Sequence, residues 1–340
     1  MEIAGTISRE SAVERINAWG RRRKPFQFLI SFDGDGHLVS SPEEAMKMNF
    51  LIDMPGWNTA NQTAQKEPEC GNHSQPAPRP IRFEKYPVDP QQYKEAFDRV
   101  MEHIRYGNTF LLNLTFPTEV ATNLSFAEIF SRSSARFKLM LKDHLVVFSP
   151  ERFIRIEGTR ISTNPMKGTM DASIPGSFHK LMTDPKEDAE HNTIVDLLRN
   201  DLGMVATRVK VSRFKHIEKI TTHQGELLQM SSEITGILPD NFQASLGEML
   251  FSMLPAGSIC GAPKRKTLQI IQRVENYQRG FYTGIFGYFN GHELDSAVSI
   301  RYLEKQGDQM IFKSGGGITF QSQWEKEYKE MLDKVYVPFS

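Results

Sequence analysis

The chain has 340 residues, 41 of them basic and 41 acidic, so its formal net charge is zero, and it carries two cysteines. That balance gives no electrostatic footprint for nucleic acid or an anionic membrane and makes a small molecule the default ligand. Cys70 and Cys260 are too few for a disulfide framework and wrongly spaced for a zinc site, and no apolar run forms a secretory leader or reaches the roughly 18 residues of a membrane span, so a soluble cytoplasmic protein is expected.

In chain order, Ser11 to Glu14 form a capping-box pattern ahead of Ile16 and Trp19, and residues 26–32 read as a strand ended by Asp33-Gly34. From 55 to 80 the composition turns to Asn, Gln, Thr, Pro and Lys, too polar to repay the entropy of ordering, which predicts a mobile loop. Cys70 and His73 inside it read as incidental rather than as a metal site. Asp89-Pro90 supplies an N-cap and first-turn proline for a helix with one apolar face, Tyr93, Phe97, Val100, Met101 and Ile104, stopping at Gly107.

Residues 109–116, 137–148 and 153–162 predict strands, with a helix near 126–130, and 209–211, 281–289, 297–303 and 310–312 predict later ones. The strands come in runs and the helices follow no regular βαβ rhythm. An α+β fold with large antiparallel or mixed sheets is expected.

The sharpest chemical signal is Lys167 in Ser162-Thr163-Asn164-Pro165-Met166-Lys167-Gly168-Thr169, where Pro165 and Gly168 predict a tight turn that presents the lysine from a fixed backbone. An amine whose ordinary pKa is about 10.4 attacks only if burial or a neighbouring cation lowers that value. From this turn alone, a solvated surface lysine is the commoner outcome.

Asp184-Pro185 opens a helix that places Glu187 and Glu190 on one face, continued toward the core by Ile194, Leu197 and Leu198; residues 324–334 repeat the spacing with Glu327 and Glu330. Two such faces suit Mg²⁺, which takes one or two carboxylates plus an anionic substrate, while solvated salt-bridged helix faces remain the alternative. Gly257 to Lys264 precede a helix whose first amides would face a carboxylate or phosphate. Gly315-Gly316-Gly317 reads as an amide-rich loop, and Arg301 offers a fork for a carboxylate. Together these describe a small substrate with more than one carboxylate.

In this order the motifs resemble the chorismate-utilising enzymes, the family of anthranilate, aminodeoxychorismate, isochorismate and salicylate synthases. They are Ser149-Pro150-Glu151-Arg152-Phe153, Pro165-Met166-Lys167-Gly168-Thr169, the 189–201 helix with Glu190, Gly257 to Lys264, Arg279-Gly280-Phe281-Tyr282-Thr283-Gly284, Ser299-Ile300-Arg301 and Gly315-Gly316-Gly317-Ile318.

The resemblance covers residues 87–335 and implies a single chorismate-binding catalytic domain over 1–340, with a short N-terminal part at 1–86. The implied fold is α+β of the anthranilate synthase component I type: two large antiparallel sheets packed face to face and flanked by helices. It implies Glu151 as acid/base, Glu190 and Glu330 as Mg²⁺ ligands with Glu187 and Glu327 on its waters, and Thr169, Ser258, Tyr282, Arg301, Gly315 and Gly317 around the substrate, with Lys334 pairing Glu330 or the substrate.

Lysine at position 167, where anthranilate and isochorismate synthases usually carry alanine, and Gln229, where anthranilate synthases carry a histidine, point to the aminodeoxychorismate branch. That branch implies amination of chorismate at C4 through a Lys167 adduct, with ammonia from a separate glutamine amidotransferase. Anthranilate or isochorismate synthesis, or a silent paralogue that binds an amidotransferase, are the alternatives.

Overall fold

The structure is a computed structural model that describes residues 3–34, 36–59, 80–222 and 225–339. Among these residues two nine-stranded sheets form, every strand pairing antiparallel. The first runs Met166–Asp171, Gly225–Ile237, Arg160–Thr163, Arg152–Glu157, Leu294–Val298, Ile285–Phe289, Phe26–Ile30 and Leu38–Ser40, with Thr207–Thr222 also paired to Gly225–Ile237. The second runs Gly261–Ala262, Leu111–Thr122, Gln309–Ile318, Tyr302–Gln306, Leu145–Ser149, Phe137–Leu141, Phe50–Met54 and Trp57–Asn58, with Phe83–Tyr86 also paired to Leu111–Thr122.

The sheets meet through their inner faces, where Leu29, Phe286 and Ala297 of the first pack with Phe50, Leu139, Val147 and Tyr302 of the second. On the outer side of the first sheet, Phe26, Phe28 and Ile156 pack with Ile16, Ile194, Leu198 and Leu250 of the helices. Strand Phe26–Ile30 is therefore buried on both faces, which is why its sequence is nearly continuously apolar rather than alternating. On the outer side of the second sheet, Leu112, Leu114 and Ile318 meet Val100, Ile271 and Met331 of helices Pro90–Arg105, Lys264–Val274 and Trp324–Asp333. Each such fully buried side chain stabilises the fold by about 1.5–3 kcal/mol.

The expected fold class is the observed one, and the 90–105 helix matches closely, with all five residues of its apolar face buried and Asp89 accepting from the Gln91 amide. Several details differ. The first helix begins at Arg9, and its cap is Ser8, which accepts from Ser11 N, rather than a box spanning Ser11 and Glu14. Residues 137–148 and 153–162 are hairpins, turned at Asp143 and Gly158, both with positive φ. Residues 281–284 form a turn ahead of Ile285–Phe289, and 297–303 spans two strands interrupted at Arg301. Gly315 to Gly317 lie inside strand Gln309–Ile318 rather than in a loop.

Of the expected mobile loop, residues 60–79 lie outside the described residues, as do Cys70 and His73. Its first residues are ordered: Trp57–Asn58 pairs with Phe50–Met54, and the Trp57 ring stacks on Tyr288 at 3.4 Å between centroids.

Candidate active site

A cavity of about 440 Å³ opens where the edge strand Met166–Asp171, helices Pro185–Gly203 and Trp324–Asp333, and the end of strand Gln309–Ile318 converge. Lys167 reaches it because its strand breaks register with Gly225–Ile237 between Lys167 and Thr169, around Gly168 at φ 73°. A bulge of this kind re-aims the flanking side chain. A Cβ at position 168 would lie 2.9 Å from Leu181 Cδ1 and 3.0 Å from a Glu187 oxygen, so glycine there also makes room for the carboxylate.

Glu187 and Glu190 project from a helix anchored by buried Ile194 and Leu198, and Glu327 and Glu330 from one anchored by Met331; all four carboxylates line the cavity. Lys167 Nζ donates to Glu190 at 3.1 Å, while Lys334 Nζ donates to Glu330 at 2.6 Å and to the Gly315 carbonyl at 2.9 Å. The glycine run is the surface these groups approach. A Cβ on Gly316 would sit 3.5–3.8 Å from Glu327, Glu330 and Lys334, and one on Gly317 would sit 4.0 Å from Lys167 Nζ.

Elsewhere on the wall, Ser258 Oγ donates to Glu151 at 2.7 Å. Arg152 does not pair with Glu151; it forms a bidentate pair with Asp295 at 2.9 and 3.0 Å. Two non-glycine residues at this wall hold left-handed backbone, Thr283 at φ 60° beside Tyr282 and Arg301 at φ 54°. For a β-branched threonine this is a genuine outlier, costing on the order of 1–3 kcal/mol, and such strain persists only where the surroundings over-determine it. The Arg301 guanidinium lies 5.1 Å over the Tyr336 ring.

Burial pushes the Glu151 carboxyl above its usual range, against the opposing pull of the Ser258 bond and the charges of Lys167 and Lys334. Burial also works to lower the Lys167 pKa, but the carboxylates of Glu190, Glu330 and Glu187 together outweigh it and hold the amine protonated. For Lys334 the balance goes the other way: burial, with Arg301 and Lys167 nearby, leaves its pKa below the ordinary value despite Glu330.

All of the residues expected from the sequence except Thr169 thus line one cavity. Thr169 is placed by its backbone, opposite Gln229 on the neighbouring strand, and Gln229 itself borders the cavity. Of the Gly257 to Lys264 run, Gly257 N is already engaged, donating to Asp201 Oδ2 at 3.0 Å, and Lys264 pairs with the same carboxylate at 2.6 Å, while Ser258, Ile259 and Gly261 line the cavity. Sequence reasoning assigned no role to Asn113 or Lys313, which also line the cavity. Lys313 is 2% exposed and bonds Glu304 at 2.8 Å; a lysine in an otherwise apolar run, residues 310–313, was the signal available for it.

Among the described residues no three acidic, histidine or cysteine side chains are gathered tightly enough for an all-protein metal cage. Four carboxylates from two helices facing one cavity still fit a hard cation that takes one or two of them and completes its sphere with water and substrate oxygens.

A family described as chorismate binding enzyme matches residues 54–340. The chain belongs to the chorismate-binding enzymes. Within them it is 44% identical to an uncharacterised PabA-like protein of Haemophilus influenzae, over 96% of each chain. It is 34% identical to aminodeoxychorismate synthase component 1 of Escherichia coli, over 72% of this chain and 56% of that one. Anthranilate synthase component I from Streptococcus pneumoniae superposes with a TM-score of 0.70 at 20% identity, covering 92% of this chain and 79% of that structure, and shares the fold. No described helix is long and apolar enough to cross a membrane.

Proposed function

We propose that this chorismate-binding enzyme is an aminodeoxychorismate synthase component I, converting chorismate and ammonia to 4-amino-4-deoxychorismate, the precursor of 4-aminobenzoate and folate. The observation that carries this reading is the Lys167 amine set inside the cavity beside the carboxylate cluster, with Gln229 rather than a histidine on the same wall.

Lys167, once its resting ammonium has given a proton to solvent, attacks C2 of chorismate; both ring double bonds shift toward C4 and the 4-hydroxyl leaves as water, taking its proton from Glu151. Ammonia then adds at C4, both double bonds shift back, and the C2–N bond to Lys167 breaks, with Glu151 accepting the surplus proton. Splitting one displacement into two is what a covalent intermediate offers. The raised pKa of Glu151 favours the protonated form that the first half requires.

Glu190 and Glu330 would hold Mg²⁺, with Glu187 and Glu327 beside them, and the bound ion would supply positive charge against the ring carboxylate. Ser258, Tyr282, Arg301 and the amides of Gly315 and Gly317 bind the substrate's carboxylates and ring, with Thr169 beside them and Lys334 balancing Glu330. Ammonia comes from a separate glutamine amidotransferase, or from ammonium at alkaline pH.

The test is to incubate the chain with chorismate, MgCl₂ and ammonium, with and without an aminodeoxychorismate lyase. Appearance of 4-aminobenzoate only with the lyase supports the assignment. Anthranilate or isochorismate would move the chain to another branch, and unchanged chorismate would favour an obligatory partner or a silent paralogue.

A further inference from the structure

The wall that carries Tyr282, Ser258 and the glycine strand is tied together from behind by one residue that does not itself border the cavity. Arg279 is 1% exposed. Its guanidinium makes a bidentate pair with Glu275, Nε to Oε2 at 2.8 Å and a terminal nitrogen to Oε1 at 2.6 Å. The remaining donors go to three segments: the Asn113 carbonyl at 2.7 Å, the Ile259 carbonyl at 3.4 Å and the Thr283 hydroxyl at 3.3 Å. Asn113 and Ile259 line the cavity, and Thr283 follows Tyr282, which also does.

The fourth segment is reached through the partners. Glu275 Oε1 accepts from both the amide and the hydroxyl of Thr115 at 2.9 Å, and Thr115 stands opposite Gly315 in the ladder. The Arg279 carbonyl accepts from Lys313 Nζ at 3.0 Å, on the same strand as Gly315 to Gly317. The Phe32 ring lies over the guanidinium at 4.5 Å.

We infer that Arg279 is a positioning residue for the substrate site, its fork fixing the Asn113, Ile259, Tyr282–Thr283 and Gly315 segments in one arrangement. The fork is what the geometry uses. Five N–H donors in a plane reach Glu275 twice and three further acceptors on separate segments, whereas a lysine ammonium has three donors on one atom. The left-handed Thr283 fits the same picture: its hydroxyl donates to the Tyr282 carbonyl at 2.6 Å while receiving Arg279, so the strained turn presenting Tyr282 is held from both sides. The ligand in this inference is chorismate, and it rests to that extent on the function proposed above.

The experiment compares the wild type with Arg279→Lys, which keeps the charge, and with the double variant Glu275→Leu, Arg279→Met, which leaves no buried charge unpaired and guards against misfolding. Hydrogen exchange of peptides covering 111–115, 257–262, 280–284 and 313–317 is followed without substrate, with 26–30 as reference, and chorismate affinity is measured by calorimetry. In both variants exchange in the four segments rises about tenfold, the reference strand is unchanged, and chorismate binds about tenfold more weakly.

Wild-type exchange in the four segments would overturn the inference. So would wild-type affinity in Arg279→Lys, because a role met by charge alone needs no fork. A wild type that binds no chorismate would contradict the proposed function instead, and the substrate-free exchange comparison would then decide the inference.

Discussion

Glu151 and Arg152 adjoin in sequence, and an ion pair between them is the simplest reading of that dipeptide. The fold separates them: Arg152 engages Asp295 across the sheet, and Glu151 turns to Ser258 in the cavity. A carboxyl whose folded pKa is raised binds more protons folded than unfolded, so it lowers stability as pH climbs from its unfolded value, about 4.3, through the raised one. Glu151→Gln removes that penalty. Its melting temperature relative to wild type is therefore higher at pH 7 than at pH 4, as parallel thermal melts would read. The same variant loses the acid/base group, and kcat for amination falls by roughly 10²–10⁴-fold. A wild-type rate would remove Glu151 from the chemistry.

At the scale of elements, two helices supply the acidic faces and one strand supplies the surface between them. The i, i+3 glutamate spacing was legible because helix periodicity is local, and so was the apolar stripe of Ile194, Leu197 and Leu198 that continues the first of the two faces. The lysine partners were less so, since a helical pattern cannot show which cation crosses from another element, and Lys167 reaches Glu190 from an edge strand. If the faces share Mg²⁺, added MgCl₂ raises the melting temperature of the wild type, by about 2.7 kcal/mol of stabilisation at a hundredfold excess over the dissociation constant. Glu190→Gln with Glu330→Gln abolishes that response; an unchanged Mg²⁺ shift in the double variant would exclude these ligands.

The glycine strand carries a prediction of its own. A Cβ at Gly315 would lie 2.3 Å from the Leu114 carbonyl oxygen and 2.8 Å from Thr115 Cα, both backbone atoms that cannot swing aside. Gly315→Ala therefore costs about 1–3 kcal/mol in denaturant unfolding, whereas Gly307→Ala, which meets no atom within 4 Å, strains only its own turn. Equal losses would contradict the steric account.

At the scale of the whole molecule, the strand-rich α+β class was readable from alternation and turn residues, while the order of strands was not. Phe26–Ile30 pairs with Ile285–Phe289, about three quarters of the chain away, and nothing local records that contact. The long hairpin Thr207–Thr222 with Gly225–Ile237 was seen only as a fragment at 209–211. Its outer strand is charged and largely exposed, and register shifts near Lys210, Arg213 and His216 break the alternation that reveals strands. The cavity gathers groups from strand edges, turns and both acidic helices, so its residues were named by motif and only assembled by the fold. Asn113 and Arg279 meet through a backbone carbonyl, and Lys313 reaches the Arg279 carbonyl, contacts whose partners no local spacing records.

The central claim is that Lys167 is the nucleophile. Its most direct test is to mix the chain with chorismate and MgCl₂ in the absence of ammonia, quench with acid, and determine peptide masses. A nucleophilic Lys167 gives a mass gain of chorismate less one water on the peptide that holds it, lost on adding ammonium and absent in a Lys167→Ala variant that no longer aminates. An unmodified lysine in a chain that makes 4-amino-4-deoxychorismate, with the alanine variant equally active, would contradict it.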